Sequence, residues 1–196
     1  MNFLAHIYLS GENRELMVGN FIGDFVKGKN YLNYEGDFQK GIILHRQIDS
    51  YTDSHPLFKE ACQVIRTEAK RYAPVAMDVF FDHFLAKNWS NYHSDTLLKF
   101  SHSVFDNFQF YQNQMPERVQ AFLPFMIQDN WLIRYAEFDG IDRSLKGINR
   151  RTGGKAGLDN GVLWLDKYYS ELEELFFNFF KELESFVISF LNEEKK

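Results

Sequence analysis

Apolar residues recur at three- and four-residue spacings, the period of an amphipathic helix, over the stretches 2–9, 12–26, 36–54, 57–71, 75–91, 94–112, 117–136, 139–149 and 159–192. Pro56, Pro74 and Pro116 each stand at the front of such a stretch, where a fixed φ and a missing N–H suit a first helical turn. No stretch alternates Val, Ile and Thr with period two, and Asn-Gly occurs only at Asn160-Gly161, so no hairpin is expected. The pattern predicts an all-α, single-domain helical bundle over residues 1–196. Its last helix carries Leu165, Tyr168, Leu172, Leu175, Phe179, Leu183, Phe186 and Phe190 in one stripe, which reads as core, with a dimer or partner surface as the alternative. Gly147 to Gly157 contains four glycines and is expected to be a loop.

Composition agrees with a packed domain: 45% of the 196 residues are hydrophobic, and 21 of them are Phe. The start of the chain lacks a signal-peptide pattern and no run of about 18 apolar residues occurs, so the expected location is cytoplasmic, off the membrane. Cys62 stands alone, which excludes an intrachain disulfide and a cysteine-based zinc site. A net charge of −5 argues against nucleic acid and anionic membrane as partners. Between Asp142 and Gly157, however, five basic residues face one Asp, a local +4.

Any bound metal must therefore rest on His, Asp and Glu. On the helix at 36–54, His45 and Asp49 are four apart, as are Asp49 and Asp53, so each pair shares a face beside the apolar stripe of Leu44, Ile48 and Tyr51. Asp78 and Asp82 fall between Leu85 and Trp89 on the apolar side of their helix, and a buried carboxylate requires a compensating partner. His83 lies about 100° further round and is the weaker ligand candidate. Asp24 sits among Phe21, Ile22 and Phe25, with Gly19 and Gly23 inviting close approach of a neighbour or ligand. His6 is a polar group in an apolar run, whereas His55, His93 and His102 read as surface residues. Glu-x-x-His, His-Glu-x-x-His, Gly-x-Ser-x-Gly and Gly-Lys-[Ser/Thr] are all absent. A His/Asp set spread over several helices suits Mn²⁺ or Mg²⁺ and a phosphate ester.

The chain also resembles the bacterial acyl carrier protein phosphodiesterases. The matching pieces are Asn2-Phe3-Leu4-Ala5-His6, Gly19-Asn20 with Asp24-Phe25-Val26, His45-Arg46 with Ile48-Asp49 and Thr52-Asp53, Ala73-Pro74 with Asp78, Asp82-His83-Phe84-Leu85 with Trp89, and Trp131-Leu132 with Arg134-Tyr135. They run in order from residue 2 to about residue 151. The resemblance implies a fold related to the HD phosphohydrolases, a divalent cation such as Mn²⁺, and hydrolysis of the phosphodiester that joins phosphopantetheine to a carrier-protein serine, within lipid metabolism. The adjacent His-Asp pair of the HD group does not occur, and the nearest pairing is the reversed Asp82-His83.

The expected centre has His6, Asp24, His45 and Asp82 on one divalent cation, which would lower the pKa of a bound water and polarise the phosphoryl oxygen. Asp49 is expected to orient His45 or act as general base, and His83 to protonate the departing oxygen. Arg46 and Arg134 are expected to offset phosphate charge. Substituting Asp82→Ala is expected to abolish activity with helical content intact. Arg143, Lys146, Arg150, Arg151 and Lys155 form the expected docking set for the acidic acyl carrier protein. The alternatives are a metal phosphohydrolase acting on a nucleotide or small phosphodiester, and a non-enzymatic module that binds a carrier protein through the Phe-rich face.

Overall fold

A computed structural model describes residues 1–193 and, among them, contains twelve α-helices joined by short 3-10 turns and no strand. The helices are α1 (Phe3–Tyr8), α2 (Arg14–Ile22), α3 (Gly36–Ser54), α4 (Pro56–Val64), α5 (Arg66–Ala69), α6 (Ala73–Lys87), α7 (Leu97–Phe110), α8 (Glu117–Gln128), α9 (Trp131–Arg134), α10 (Phe138–Arg151), α11 (Gly161–Lys167) and α12 (Tyr169–Glu193). No described helix is long and apolar enough to cross a membrane. The all-α expectation holds, and the prolines act as read: Pro56 and Pro74 occupy the first turns of α4 and α6, and Pro116 is the N-cap of α8.

Helix α6 is the axis of the core. From Val79 to Ala86 every residue is buried, as expected of a helix that is apolar nearly all round. Phe81 and Phe84 meet Phe176 of α12, and Phe81 also meets Phe179. The α12 stripe is therefore core at Leu172, Leu175, Phe179 and Leu183, with Phe186 and Phe190 half-buried against it. A module that bound its partner through this face would find the face already covered.

Helices α2 and α3 pack closely because two glycines face each other. A Cβ on Gly19 would collide with the Phe38 carbonyl, and one on Gly41 with the Leu16 carbonyl. This contact lays the ends of α2 and α3 side by side and sets the position of the site.

Several boundaries differ from the periodic pattern. The stretch 57–71 breaks at Ile65 into α4 and α5, 117–136 breaks at Asn130, whose φ is +41°, and 159–192 breaks at Tyr168. The glycine-rich stretch is only partly loop. Helix α10 runs through Gly147 to Arg151, because burial of Ile141, Leu145 and Asn149 outweighs the roughly 1 kcal/mol that a glycine costs inside a helix. His55, expected at the surface, is buried: its Nδ1 accepts the Leu57 N–H at the start of α4, and its Nε2 lies 3.2 Å from Glu182 of α12.

Candidate metal centre

Three side chains from two helices converge where α1, α2 and α3 meet. Among the described residues His6, His45 and Asp49 are the one group whose ligand atoms all lie within 4.8 Å of one another. Nε2 of His6 is 3.2 Å from Oδ1 of Asp49, and Nε2 of His45 is 3.2 Å from Oδ2 of the same carboxylate. The imidazole rings are stacked with centroids 4.0 Å apart. Asp24, in the 3-10 turn Gly23–Phe25 after α2, stands at the open side, its Oδ1 3.4 Å from Nε2 of His45 and its side chain 67% exposed.

Asn20 sets the orientation of both rings. Its Nδ2 donates to the His6 carbonyl at 2.7 Å and to Ser10 Oγ at 2.9 Å, which leaves its Oδ1 as an acceptor. Nδ1 of His6, 2.8 Å from that Oδ1, must then carry a proton. Nδ1 of His45 is 2.8 Å from the Asn20 backbone carbonyl and must carry one too. In the neutral rings the lone pairs consequently lie on Nε2, facing Asp49. Histidines that ligate metals are held in this way, with the other ring N–H donated to a carbonyl or carboxylate. Glycine makes the placement possible, since a Cβ on Gly23 would run into the His45 ring.

Both Nε2 atoms are buried and make no directed hydrogen bond despite their closeness to Asp49. Burying polar atoms without partners costs on the order of 1–3 kcal/mol each. Electrostatics carries the same signature. Burial and the neighbouring His45 push the His6 pKa down to about 4. His45 also feels burial, but the carboxylates of Asp24 and Asp49 outweigh it and raise its pKa to about 9. For Asp49, burial is overcome by the two histidines, which hold the carboxyl well below the usual range. Two imidazole nitrogens, one of which must first give up its proton, and an ionised, partly buried carboxylate in one cluster fit a divalent cation.

Four of the expected positions make other contacts. Asp82 is fully buried in α6, and its carboxylate accepts backbone N–H groups of α1: Leu4 at 2.7 Å, Asn2 at 3.2 Å and Ala5 at 3.4 Å. Its oxygens are spent on the backbone N–H groups at the start of the helix that bears His6, and Asp49 rather than Asp82 stands beside the two histidines. Burial raises the Asp82 pKa to about 7 against the pull of the Met1 ammonium and these donors. Asp78, one turn earlier, holds that ammonium at 2.8 Å.

His83 has both ring nitrogens occupied, Nδ1 donating to the Tyr135 carbonyl at 2.7 Å and Nε2 3.2 Å from the Tyr169 hydroxyl. It is buried among Phe84, Phe138 and Tyr169 and is not free to protonate a leaving group. Arg46 spends its Nη2 on the carbonyls of Val26 and Gly28 and stacks on Tyr31. Arg134 donates to the Asp129 carbonyl and lies 3.8 Å from Asp139.

Of the basic set, Arg143, Lys146 and Arg150 share one face of α10, while Arg151 and Lys155 follow at its end. Arg143 and Lys146 pair with Asp139 and Asp142, and Arg150, Arg151 and Lys155 are exposed.

Comparison with known proteins agrees with the sequence resemblance and lengthens it. The profile of the acyl carrier protein phosphodiesterase family matches residues 1–183, into α12. The chain belongs to the acyl carrier protein phosphodiesterase family. Relatives bearing that name include those of Photorhabdus laumondii, 34% identical over 92% of this chain and 91% of the relative, and Yersinia pestis, 33% identical over 92% and 94%. That of Pectobacterium atrosepticum is 34% identical over 93% and 95%. No solved structure matches the chain.

Asn20 is the residue that sequence reasoning missed. It lies inside a family-matching segment and is an amide in the otherwise apolar run from Leu16 to Ile22, with 0% exposure. That buried amide was the available signal.

Proposed function

We propose that this protein is a divalent-cation-dependent phosphodiesterase that hydrolyses the 4′-phosphopantetheine group from holo-acyl carrier protein and leaves the apo form. Family membership supports the reaction. The observation that carries the metal is the pair of buried Nε2 atoms without a directed hydrogen bond, both held against Asp49.

In this reading His6, His45 and Asp49 hold the cation, and Asp24 completes the set at the mouth. Imidazole donors beside carboxylate suit Mn²⁺ better than Mg²⁺, which prefers an all-oxygen shell. When bound, the cation would supply an activated water and charge stabilisation for the phosphodiester. The protein contributes the rest. Asn20 keeps both Nε2 lone pairs directed inward, Asp82 anchors the helix behind His6, and Asp24 stands ionised at the solvent-open side. His45 holds the Asp24 pKa below its ordinary value. The exposed basic residues at the end of α10 steer the acidic carrier protein, and the cytoplasm is where this protein and its substrate meet.

The test is mass spectrometry of holo-acyl carrier protein after incubation with the protein and Mn²⁺, beside a panel of nucleotides and small phosphodiesters. Loss of the phosphopantetheine arm, at a rate well above turnover of the panel, is the expected result. An intact holo protein with a cleaved nucleotide would transfer the assignment to another phosphohydrolase substrate.

A further inference from the structure

The residue after Asp24 is Phe25, and with it begins a cleft of about 410 Å³ lined chiefly by Phe25, Val26, Asn30, Asn33, Tyr34 and Gln114. Side chains of α3 brace its wall from behind. Arg46 donates to the carbonyls of Val26 and Gly28, both at 2.8 Å, and its guanidinium lies 5.0 Å over the Tyr31 ring. Gln39 donates to the carbonyls of Tyr34 at 2.9 Å and Tyr31 at 3.3 Å. Two α3 side chains thus fix the segment from Val26 to Tyr34, and one of them is the immediate neighbour of His45. The cleft and the metal centre are positioned by the same helix.

No lining residue of the cleft carries a charge. Phe25, the chain neighbour of Asp24, and the largely buried Val26 supply its apolar part, and the exposed side chains of Asn30, Asn33 and Gln114 add three carboxamides, each able to donate and to accept. The size falls within the ordinary range for small-ligand pockets.

We propose that this cleft holds the pantetheine arm of the substrate, an inference that rests on the function proposed above. The arm is a neutral chain that leaves the phosphate through a methylene to a dimethyl-substituted carbon and a hydroxyl-bearing carbon and continues through two secondary amides. With the phosphodiester at the His6–His45–Asp49 cluster, the dimethyl carbon meets Phe25 and Val26, and the two amides pair with the carboxamides. The carrier protein then leaves the phosphate on the other side, and the enzyme reads its substrate through the arm as well as through the carrier.

The experiment pairs binding with turnover. Free pantetheine, which has neither phosphate nor carrier, is titrated calorimetrically into the metal-free protein and into an Asn33→Leu, Gln114→Leu double variant. Both substituted positions are exposed, and thermal melts establish that the fold is kept. The wild type is expected to bind and the variant to bind about tenfold more weakly, as loss of two hydrogen-bonding groups implies. With Mn²⁺, kcat/KM for holo-acyl carrier protein falls by about the same factor while hydrolysis of bis(p-nitrophenyl) phosphate, which has no arm, is unchanged. Absence of pantetheine binding, or equal binding by both proteins, overturns the assignment even if holo-acyl carrier protein is cleaved. Cleft-dependent binding of pantetheine without cleavage upholds the assignment and rejects the function instead.

Discussion

Oδ2 of Asp82 accepts the backbone N–H of Leu4 at 2.7 Å, so the middle of α6 holds the start of the helix that carries His6. A carboxylate that the sequence marks as buried proves to be the anchor of a neighbouring helix 78 residues away in the chain.

Asp82→Ala is therefore expected to cost stability first. Removing the acceptor strands buried N–H groups of α1 and costs about 3 kcal/mol, which lowers the melting temperature by roughly 6–12 °C. Asp82→Asn, which keeps one acceptor oxygen, loses less. Differential scanning calorimetry of both variants checks this, and an unaltered melting temperature for the alanine variant would show that the contact is not an anchor.

Asn20 is expected to act through the histidines. In Asn20→Ala the His6 ring loses its Nδ1 acceptor, and Mn²⁺ affinity falls by about 10–100-fold, the usual effect of removing a group that orients a metal-bound histidine. Calorimetric titration of Mn²⁺ measures it. Affinity within about twofold of wild type would mean that the rings are held by packing alone.

The pH dependence of metal binding follows from His45. Its pKa of about 9 in the metal-free protein leaves it protonated at neutral pH, whereas a ligand must be neutral. His6, at about 4, is already neutral there, and Asp49 is ionised. Binding Mn²⁺ near pH 7 therefore expels about one proton from His45, and below pH 9 the affinity drops by about tenfold for each unit of acidification. Titration in buffers of different ionisation enthalpy counts the proton. Binding independent of pH from 6 to 8 would contradict the assignment of His45.

How much of this was legible in the sequence varied with the kind of information required. Helical periodicity marks every long element, because burial of one face leaves its trace in residue type. The break at Tyr168 and the extension of α10 to Arg151 escaped it, since both depend on packing against distant neighbours. His6 and His45 stood out as polar groups in or beside apolar runs. Asp82 was misplaced because sequence shows that a carboxylate is buried and not which donors meet it, and the donors for Asp82 come from α1. Asn20 has no charge to flag and acts through a backbone carbonyl as much as its side chain.

Charge reversal at Arg150 and Arg151 is expected to raise the Michaelis constant for holo-acyl carrier protein by about tenfold at low salt while leaving kcat nearly unchanged. Added salt narrows the difference, since exposed charges are screened over about 8–10 Å at physiological ionic strength. Steady-state kinetics at two salt concentrations decides the matter, and equal Michaelis constants at low salt would remove this end of α10 from the docking surface.

The claim on which the rest depends is that His6, His45 and Asp49 hold one divalent cation. Electron paramagnetic resonance of Mn²⁺ titrated into the wild-type protein and into Asp49→Asn tests it most directly, because free Mn²⁺ gives a sharp signal that is lost on binding. The wild type is predicted to quench one equivalent of the free-ion signal and the variant to leave it in solution at the same concentrations. Equal quenching by both proteins would contradict the account.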